Sequence, residues 1–290
     1  MWITFGNRSV SQIGTPLTSQ VQIIAELGVA PSFEVSVEVD RRVSFLRDYL
    51  VRSGLTTYVL GISGGVDSTT AAMLAQRAVR DLRAEGREAR FIAVRLPYGV
   101  QADEKDAQAA LSAIEPDQTF TVNIKPAADA MWRQIRAAGF GPENEGQEDF
   151  LLGNVKARQR MIAQFALAGG LKGLVIGTDH AAEAVMGFFT KFGDGAADIL
   201  PLAGLTKRRV RAIAAHLGVP SELVFKVPTA DLEDDAPLRP DEDAYGVTYD
   251  QIDDFLEGRA VPDFARDRIV NAYRATAHKR ALPVAANAAA

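Results

Sequence analysis

The chain has 290 residues, 47% of them hydrophobic and 24% charged, which suits one large globular domain with a core of its own. A net charge of −5 speaks against nucleic-acid binding, and the lack of cysteine excludes disulfides, thiolate metal sites, a cysteine glutaminase and persulfide-based tRNA thiolation. No apolar run reaches the ~18 residues of a membrane span and no charged-then-apolar signal opens the chain, so the expected compartment is the cytoplasm.

Residues 1–18 are polar and without periodicity, and read as a disordered leader to a domain spanning 19–283; residues 284–290 read as a frayed tail. A short helix from Ser19 places Val21, Ile24 and Leu27 inward and stops at Gly28. A second carries the stripe Val39, Val43, Leu46, Leu50, which packs on a sheet or across a subunit interface. Strands are then predicted at 57–62, 90–96, 119–124, 173–177 and 223–227. They alternate with helices at 67–84, 103–114, 127–138, 150–168, 180–187 and 206–217. This alternation predicts an α/β fold: a single doubly wound parallel sheet of about five strands with helices on both faces. Ligands of such sheets sit beyond the carboxyl ends of the strands, where the strand order reverses.

The first strand runs into Gly61-Ile62-Ser63-Gly64-Gly65-Val66-Asp67-Ser68 and then into a helix. Glycines let the backbone approach an anion, the helix N-terminus offers free N–H groups, and Ser63 and Ser68 add hydroxyl donors. The pattern is a phosphate cradle. It is not a P-loop, since no lysine lies in it, and Asp67 suits phosphate only with a bridging divalent cation such as Mg²⁺. Gly61-Ile62-Ser63-Gly64-Gly65 also satisfies the nucleophile-elbow pattern, with His278 available to close a triad. The elbow, however, follows the first convincing strand, where a hydrolase needs an earlier one for its oxyanion loop.

Further along, the 150–168 helix turns Val155, Ile162 and Phe165 inward, leaving Lys156, Arg158, Arg160 and Lys172 as a basic face. Gly139-Phe140-Gly141 and Gly193-Asp194-Gly195 read as turns. Thr178 or Asp179 is a natural N-cap for the next helix, and Glu183 lies one turn in, available for a second metal contact. His180 is set aside as a structural hydrogen-bonder. Lys207-Arg208-Arg209 opens a helix, where positive charge opposes the macrodipole by ~0.3–1 kcal/mol per charge. Residues 231–243 hold seven acids and two prolines, suit no regular element, and read as a mobile loop or lid hinged near Thr229. A last helix over 262–279 packs Phe264, Ile269 and Tyr273.

Ser63-Gly64-Gly65-Val66-Asp67-Ser68 is the pyrophosphate-loop signature of the ATP pyrophosphatases. The runs Phe91 to Gly99, Gly177 to Ala184, Gly187 to Gly195, Pro228 to Leu232 and Gly246 to Asp250 narrow the resemblance to the ammonia-dependent NAD synthetases, over about residues 20–283. The resemblance implies an adenine-nucleotide-hydrolase-like fold and the amidation of deamido-NAD with ammonia. ATP is the co-substrate, an acyl-adenylate the intermediate, and AMP and pyrophosphate the by-products. It implies that Gly61, Ile62, Ser63, Gly64, Gly65, Val66, Asp67 and Ser68 bind ATP together with Arg95, Gln101, Thr178, Lys207 and Thr229. Asp67 and Glu183 would hold Mg²⁺, with Asp67 and Lys207 as the catalytic pair. Arg158, Lys191, Asp198, His278 and Lys279 would bind deamido-NAD. A homodimer is implied as well, and with about 40 residues before the first long amphipathic helix, free ammonia is the expected nitrogen donor. Two alternatives stay open here: adenylation of another acceptor, as in GMP or argininosuccinate synthesis, and an ATP-binding regulator without catalysis.

Overall fold

A computed structural model describes residues 19–99, 104–228 and 241–286. In chain order these form α1 (Gln20–Glu26), α2 (Val35–Ser53), β1 (Thr57–Gly61), α3 (Val66–Ala84), β2 (Arg90–Arg95), α4 (Glu104–Ile114), β3 (Gln118–Thr121) and α5 (Lys125–Ala137). There follow α6 (Glu145–Gly170), β4 (Gly173–Val175), α7 (Ala181–Met186), α8 (Lys207–His216), α9 (Ser221–Val224), α10 (Asp241–Tyr245), α11 (Tyr249–Leu256), α12 (Asp263–Ala275) and α13 (Ala277–Arg280). The four strands make one parallel sheet in the order β3-β2-β1-β4. Thr57 to Gly61 pair with Arg90 to Val94, and Thr57 to Val59 with Gly173 to Val175. The order reverses between β1 and β4, which puts the expected crevice there.

Alternation along the strands feeds two cores. Tyr58, Leu60, Phe91 and Ala93 face α2, α3 and α8, where Val39, Val43, Leu46, Leu74, Ala78, Val210 and Ile213 are buried with them. Val59, Ile92, Val94 and Val175 face the other way, toward Ala168 and the half-buried Phe165 and Leu167 of α6. A third cluster joins Ile23 of α1 to Val185, Ile252, Phe255 and Ile269 of α7, α11 and α12. It forms a C-terminal layer beside the β4 edge.

Several expectations change. No strand forms at 223–227: Ser221–Val224 is a helical turn entered from Pro220, with Leu223 and Val224 buried. An apolar run this short does not reveal its period. The place beside β4 is instead taken by a single parallel bridge, Ile176 to Ile199. In α1 the buried residue is Ile23, and Val21 faces solvent; in α12 Ile269 and Tyr273 are buried as expected, but Ala265 is buried with them and Phe264 is exposed. The last helix breaks at Thr276 into α12 and α13. Asp241 to Asp243, the end of the acidic run, open α10, where carboxylates complement the helix N-terminus. The α6 face is rotated from the predicted one: Lys156 and Ala157 are buried, and Ile162 is 52% exposed. Lys156 stacks 4.3 Å from the centre of the Tyr98 ring, so it is not part of a solvated basic face. Among the described residues no helix is long and apolar enough to cross a membrane.

Candidate active site

The loop after β1 has the geometry of an anion cradle. Gly64 adopts φ +87°, and a Cβ there would stand 2.7 Å from the Ala107 backbone nitrogen of α4, so only glycine fits. Gly65 is the N-cap of α3 and makes no side-chain cap, so the first turn of a 19-residue helix keeps its N–H donors for a ligand. Ser63 and Ser68 hydroxyls lie 3.0 Å apart, and Ser63 Oγ also accepts the Gly65 N–H at 3.2 Å. The hydroxyls thus set the shape of the loop as well as offering donors to it.

Asp67, in the first turn of α3, meets residues brought from the start of α7 and from α8. Its Oδ2 accepts from Lys207 Nζ at 2.6 Å, and Lys207 is 1% exposed. His180 Nε2 lies 3.5 Å from Asp67 Oδ1 and 3.6 Å from Glu183 Oε1, and ligand atoms of all three fall within 4.8 Å of one another. Burial raises the Asp67 carboxyl, but Lys207 beside it, helped by His180 and Arg211, holds it below its ordinary value. Glu183 goes the other way: burial and the Asp67 charge push it well above the carboxylate range. Burial also lowers His180 to about 3, so its imidazole is neutral. Its Nδ1 accepts the Glu183 N–H at 3.4 Å, which leaves the proton on Nε2, pointed at the two carboxylates.

His180 therefore is the N-cap of α7, where Thr178 or Asp179 was expected. A ring nitrogen performs the cap because the same side chain has to reach back to Asp67. The cations opening α8 are matched as well. Asp253 accepts the Lys207 and Arg208 N–H groups at 2.9 and 2.7 Å, and Arg208 and Arg209 pair with Asp254 of α11 and with Glu257, its C-cap. Behind Lys207, the Tyr249 ring lies 5.1 Å from the ammonium, and its hydroxyl donates to Asp241 Oδ2 at 3.0 Å.

Asp67 Oδ1 is buried without a hydrogen-bond partner, and a second carboxylate stands across from it. Two oxygen donors facing one polar gap fit a hard divalent cation such as Mg²⁺.

The residues expected to bind the dinucleotide fall into two places. Arg158 donates to the Lys191 carbonyl at 3.2 Å, Lys191 Nζ to the His278 carbonyl at 2.5 Å, and Lys279 Nζ to the Gly187 and Phe189 carbonyls at 2.9 Å each. These four form one basic corner between α6, the loop after α7 and α13. Asp198 stands apart, accepting the Val175 N–H at 2.7 Å on the outer edge of β4. Arg95 is buried, donating to the Ile62 carbonyl and, at 2.9 Å, to Glu104. It braces the cradle from β2. Thr178 sits half-buried in the link from β4 to α7. Gln101 and Thr229 lie outside the described residues. Sequence reasoning missed His180, Tyr249 and Asp253; only the position of His180 between Thr178 and Glu183 could have signalled any of them.

Residues 38–283 match the NAD synthase family. The chain is 64% identical over 264 residues to an NH₃-dependent NAD⁺ synthetase of Burkholderia ambifaria (strain MC40-6), covering 91% of this chain and 94% of that protein. The crystal structure of NAD⁺ synthetase from Burkholderia pseudomallei superposes with a TM-score of 0.79 at 58% identity, over 91% of this chain and 96% of that one. A structure of NMN synthetase from Francisella tularensis gives a TM-score of 0.77 at 35% identity, over 88% and 100% of the two chains.

Proposed function

The chain belongs to the NAD synthase family and catalyses the ATP-dependent amidation of deamido-NAD with ammonia; we propose that the cleft between β1 and β4 does this with the residues described above. The observation that carries the assignment is the juxtaposition of the uncapped α3 N-terminus with the Asp67–Lys207–Glu183 cluster. A nicotinate carboxylate resists ammonia because it is anionic and would have to expel oxide. Transfer of AMP to it gives an acyl-adenylate with a good leaving group.

In the first step a carboxylate oxygen of deamido-NAD attacks the α-phosphorus and the bond to pyrophosphate breaks. The Ser63–Ser68 loop and the α3 N–H groups receive the departing charge, and Lys207 stands beside it as a buried cation. Asp67 and Glu183 would hold Mg²⁺, which when bound neutralises phosphate oxygens. His180 stays neutral and orients the two carboxylates. In the second step ammonia attacks the acyl carbon and AMP leaves. Arg158, Lys191, His278 and Lys279 fix the dinucleotide, with Asp198 at the edge of that site and Arg95, Gln101, Thr178 and Thr229 toward ATP. Catalysis is positioning and electrostatics, without a covalent enzyme nucleophile.

The working form is a cytoplasmic homodimer in this reading. Met131 on α5, Phe140 in the link to α6, and Phe150 and Ile162 on α6 are exposed apolar side chains that a partner subunit could cover. Size-exclusion chromatography with light scattering should give twice the chain mass of 31.2 kDa. The central experiment is amide formation from deamido-NAD with ammonium or glutamine as sole nitrogen source, using nicotinic acid mononucleotide as the control acceptor. NAD formed from ammonium alone is the expected result; preference for the mononucleotide would overturn the substrate assignment.

A further inference from the structure

β1 hands the chain to the phosphate loop at Gly61, and its two edges are held differently there. On the β2 side pairing continues: the Ile62 N–H donates to the Val94 carbonyl at 2.9 Å. On the β4 side the ladder stops. The Ile176 N–H donates to the Val59 carbonyl at 2.9 Å, and in the same register the Gly61 N–H would bond the Ile176 carbonyl next. The next N–H of that strand, on Gly177, points to the outer edge as alternation requires and donates to the Ile199 carbonyl at 2.9 Å. The Gly61 N–H is met instead by Gln164 Oε1 of α6, at 2.7 Å.

The Gln164 amide is oriented from both ends. Its Nε2 donates to the Arg160 carbonyl at 3.4 Å, so the oxygen faces the Gly61 N–H. A Cβ on Gly61 would lie 3.2 Å from Gln164 Oε1 and from Leu96 Cδ1, so glycine is what lets the side chain close on the strand. One turn earlier, Arg160 Nε donates to the Leu96 carbonyl at 3.1 Å. Residues four apart share a helix face, and this one braces the carboxyl ends of β1 and β2 together.

We propose that Gln164 is a positioning residue for the pyrophosphate loop. A ladder bond at Gly61 would hold β4 against β1 and close the crevice, whereas an unmade bond would leave a part-buried N–H without a partner. The side-chain amide of Gln164 satisfies that N–H from outside the sheet. The sheet opens between β1 and β4 while the height of the loop stays fixed. Gln164 acts through Gly61 on the N–H groups of the cradle, and its role rests on the assignment of residues 63–68 to pyrophosphate.

The test compares Gln164→Met with Phe165→Leu, a neighbour on α6 that packs beneath the sheet. Steady-state kinetics are run on the full-length enzyme. Gln164→Met should raise KM for ATP and weaken product inhibition by pyrophosphate, each about tenfold, the scale of one net hydrogen bond. KM for deamido-NAD should stay within about twofold, and Phe165→Leu should lower Tm while moving none of the three. If Gln164→Met lowers Tm but leaves the ATP and pyrophosphate constants unchanged, or if all three constants move together in both variants, the proposal is wrong. Ser68→Ala separates the two layers of the argument. No change in pyrophosphate inhibition with Ser68→Ala would sink the loop assignment, while a change there and none in Gln164→Met would sink only the role of Gln164.

Discussion

Lys207 Nζ and Asp67 Oδ2 lie 2.6 Å apart across 140 residues of chain, one at the start of α8 and the other at the start of α3. Burial works against the lysine charge, but Asp67 and Glu183 more than offset it, and the ammonium is held above its ordinary pKa. A cation this dry is expensive unless it faces anions, which here are the Asp67 carboxylate, Glu183 once it gives up its proton and, during turnover, a polyphosphate.

Asp67→Asn removes the carboxylate from this pair while leaving the basic corner of Arg158, Lys191 and Lys279, the proposed dinucleotide site, intact. Turnover should fall by about 100-fold or more. The affinity for deamido-NAD, measured by calorimetry on protein shown to be folded by circular dichroism, should stay within about threefold of wild type. Turnover near wild type would remove Asp67 from the catalytic pair.

Gly64→Ala tests the cradle by shape alone. The new methyl would meet the Ala107 backbone 2.7 Å away at a φ of +87°, and neither α4 nor the loop has a flexible side chain there to yield. Stability should drop by ~1–3 kcal/mol, and KM for ATP should rise with it. A variant that melts and binds ATP like wild type would show that the loop relaxes freely.

Much of the frame was legible because β1, α2, α3 and α8 carry strong periods and sit in one core. Val39, Val43, Leu46 and Leu50 are all buried as their spacing required. Glu183 joined Asp67 because strand order brings β1 beside β4, which the alternation of elements allowed but did not dictate. The readings that failed are short or have two faces. Residues 223–227 are too few to show a period, and Phe264 lost the inward place to a smaller neighbour, Ala265. On α6, lysine, arginine and glutamine turn toward the sheet because loop ends need their donors and acceptors, so hydrophobicity pointed to the wrong face. His180 was passed over since a cap and a carboxylate clamp look alike in sequence.

Asp241 gives a prediction in pH. Its side chain is buried, Tyr249 donates to one oxygen, and the other has no partner. Burial pushes the carboxyl up to about 6, with Tyr249 and Lys207 pulling it down and Asp67 and Glu242 adding to the rise. A folded pKa above the unfolded one means that the native state holds the extra proton. The associated stability is present below about pH 4 and is lost as pH rises through 6. Asp241→Asn does not titrate, so the Tm of the variant minus that of wild type should climb between pH 4 and 6.5 and level off above 7, by the equivalent of ~1–3 kcal/mol. A difference that is flat across this range would mean that Asp241 is not desolvated in solution.

Glu183 tests the cation. Asp67 Oδ1 and the Glu183 carboxyl face one gap, and on its third side stands the neutral His180, which caps α7, so two carboxylates are the oxygen donors on offer. Treatment with EDTA should abolish turnover while leaving the melting curve nearly unchanged, because the fold is held by its hydrophobic cores and not by an ion. Mn²⁺ should restore activity and report its own binding by electron paramagnetic resonance. With Glu183→Gln one anionic donor is gone, and half-restoration should need about tenfold more Mn²⁺ or beyond. Full activity after chelation, or identical Mn²⁺ titrations for wild type and Glu183→Gln, would place the catalytic cation elsewhere and leave the raised Glu183 carboxyl as a proton-holding partner of Asp67.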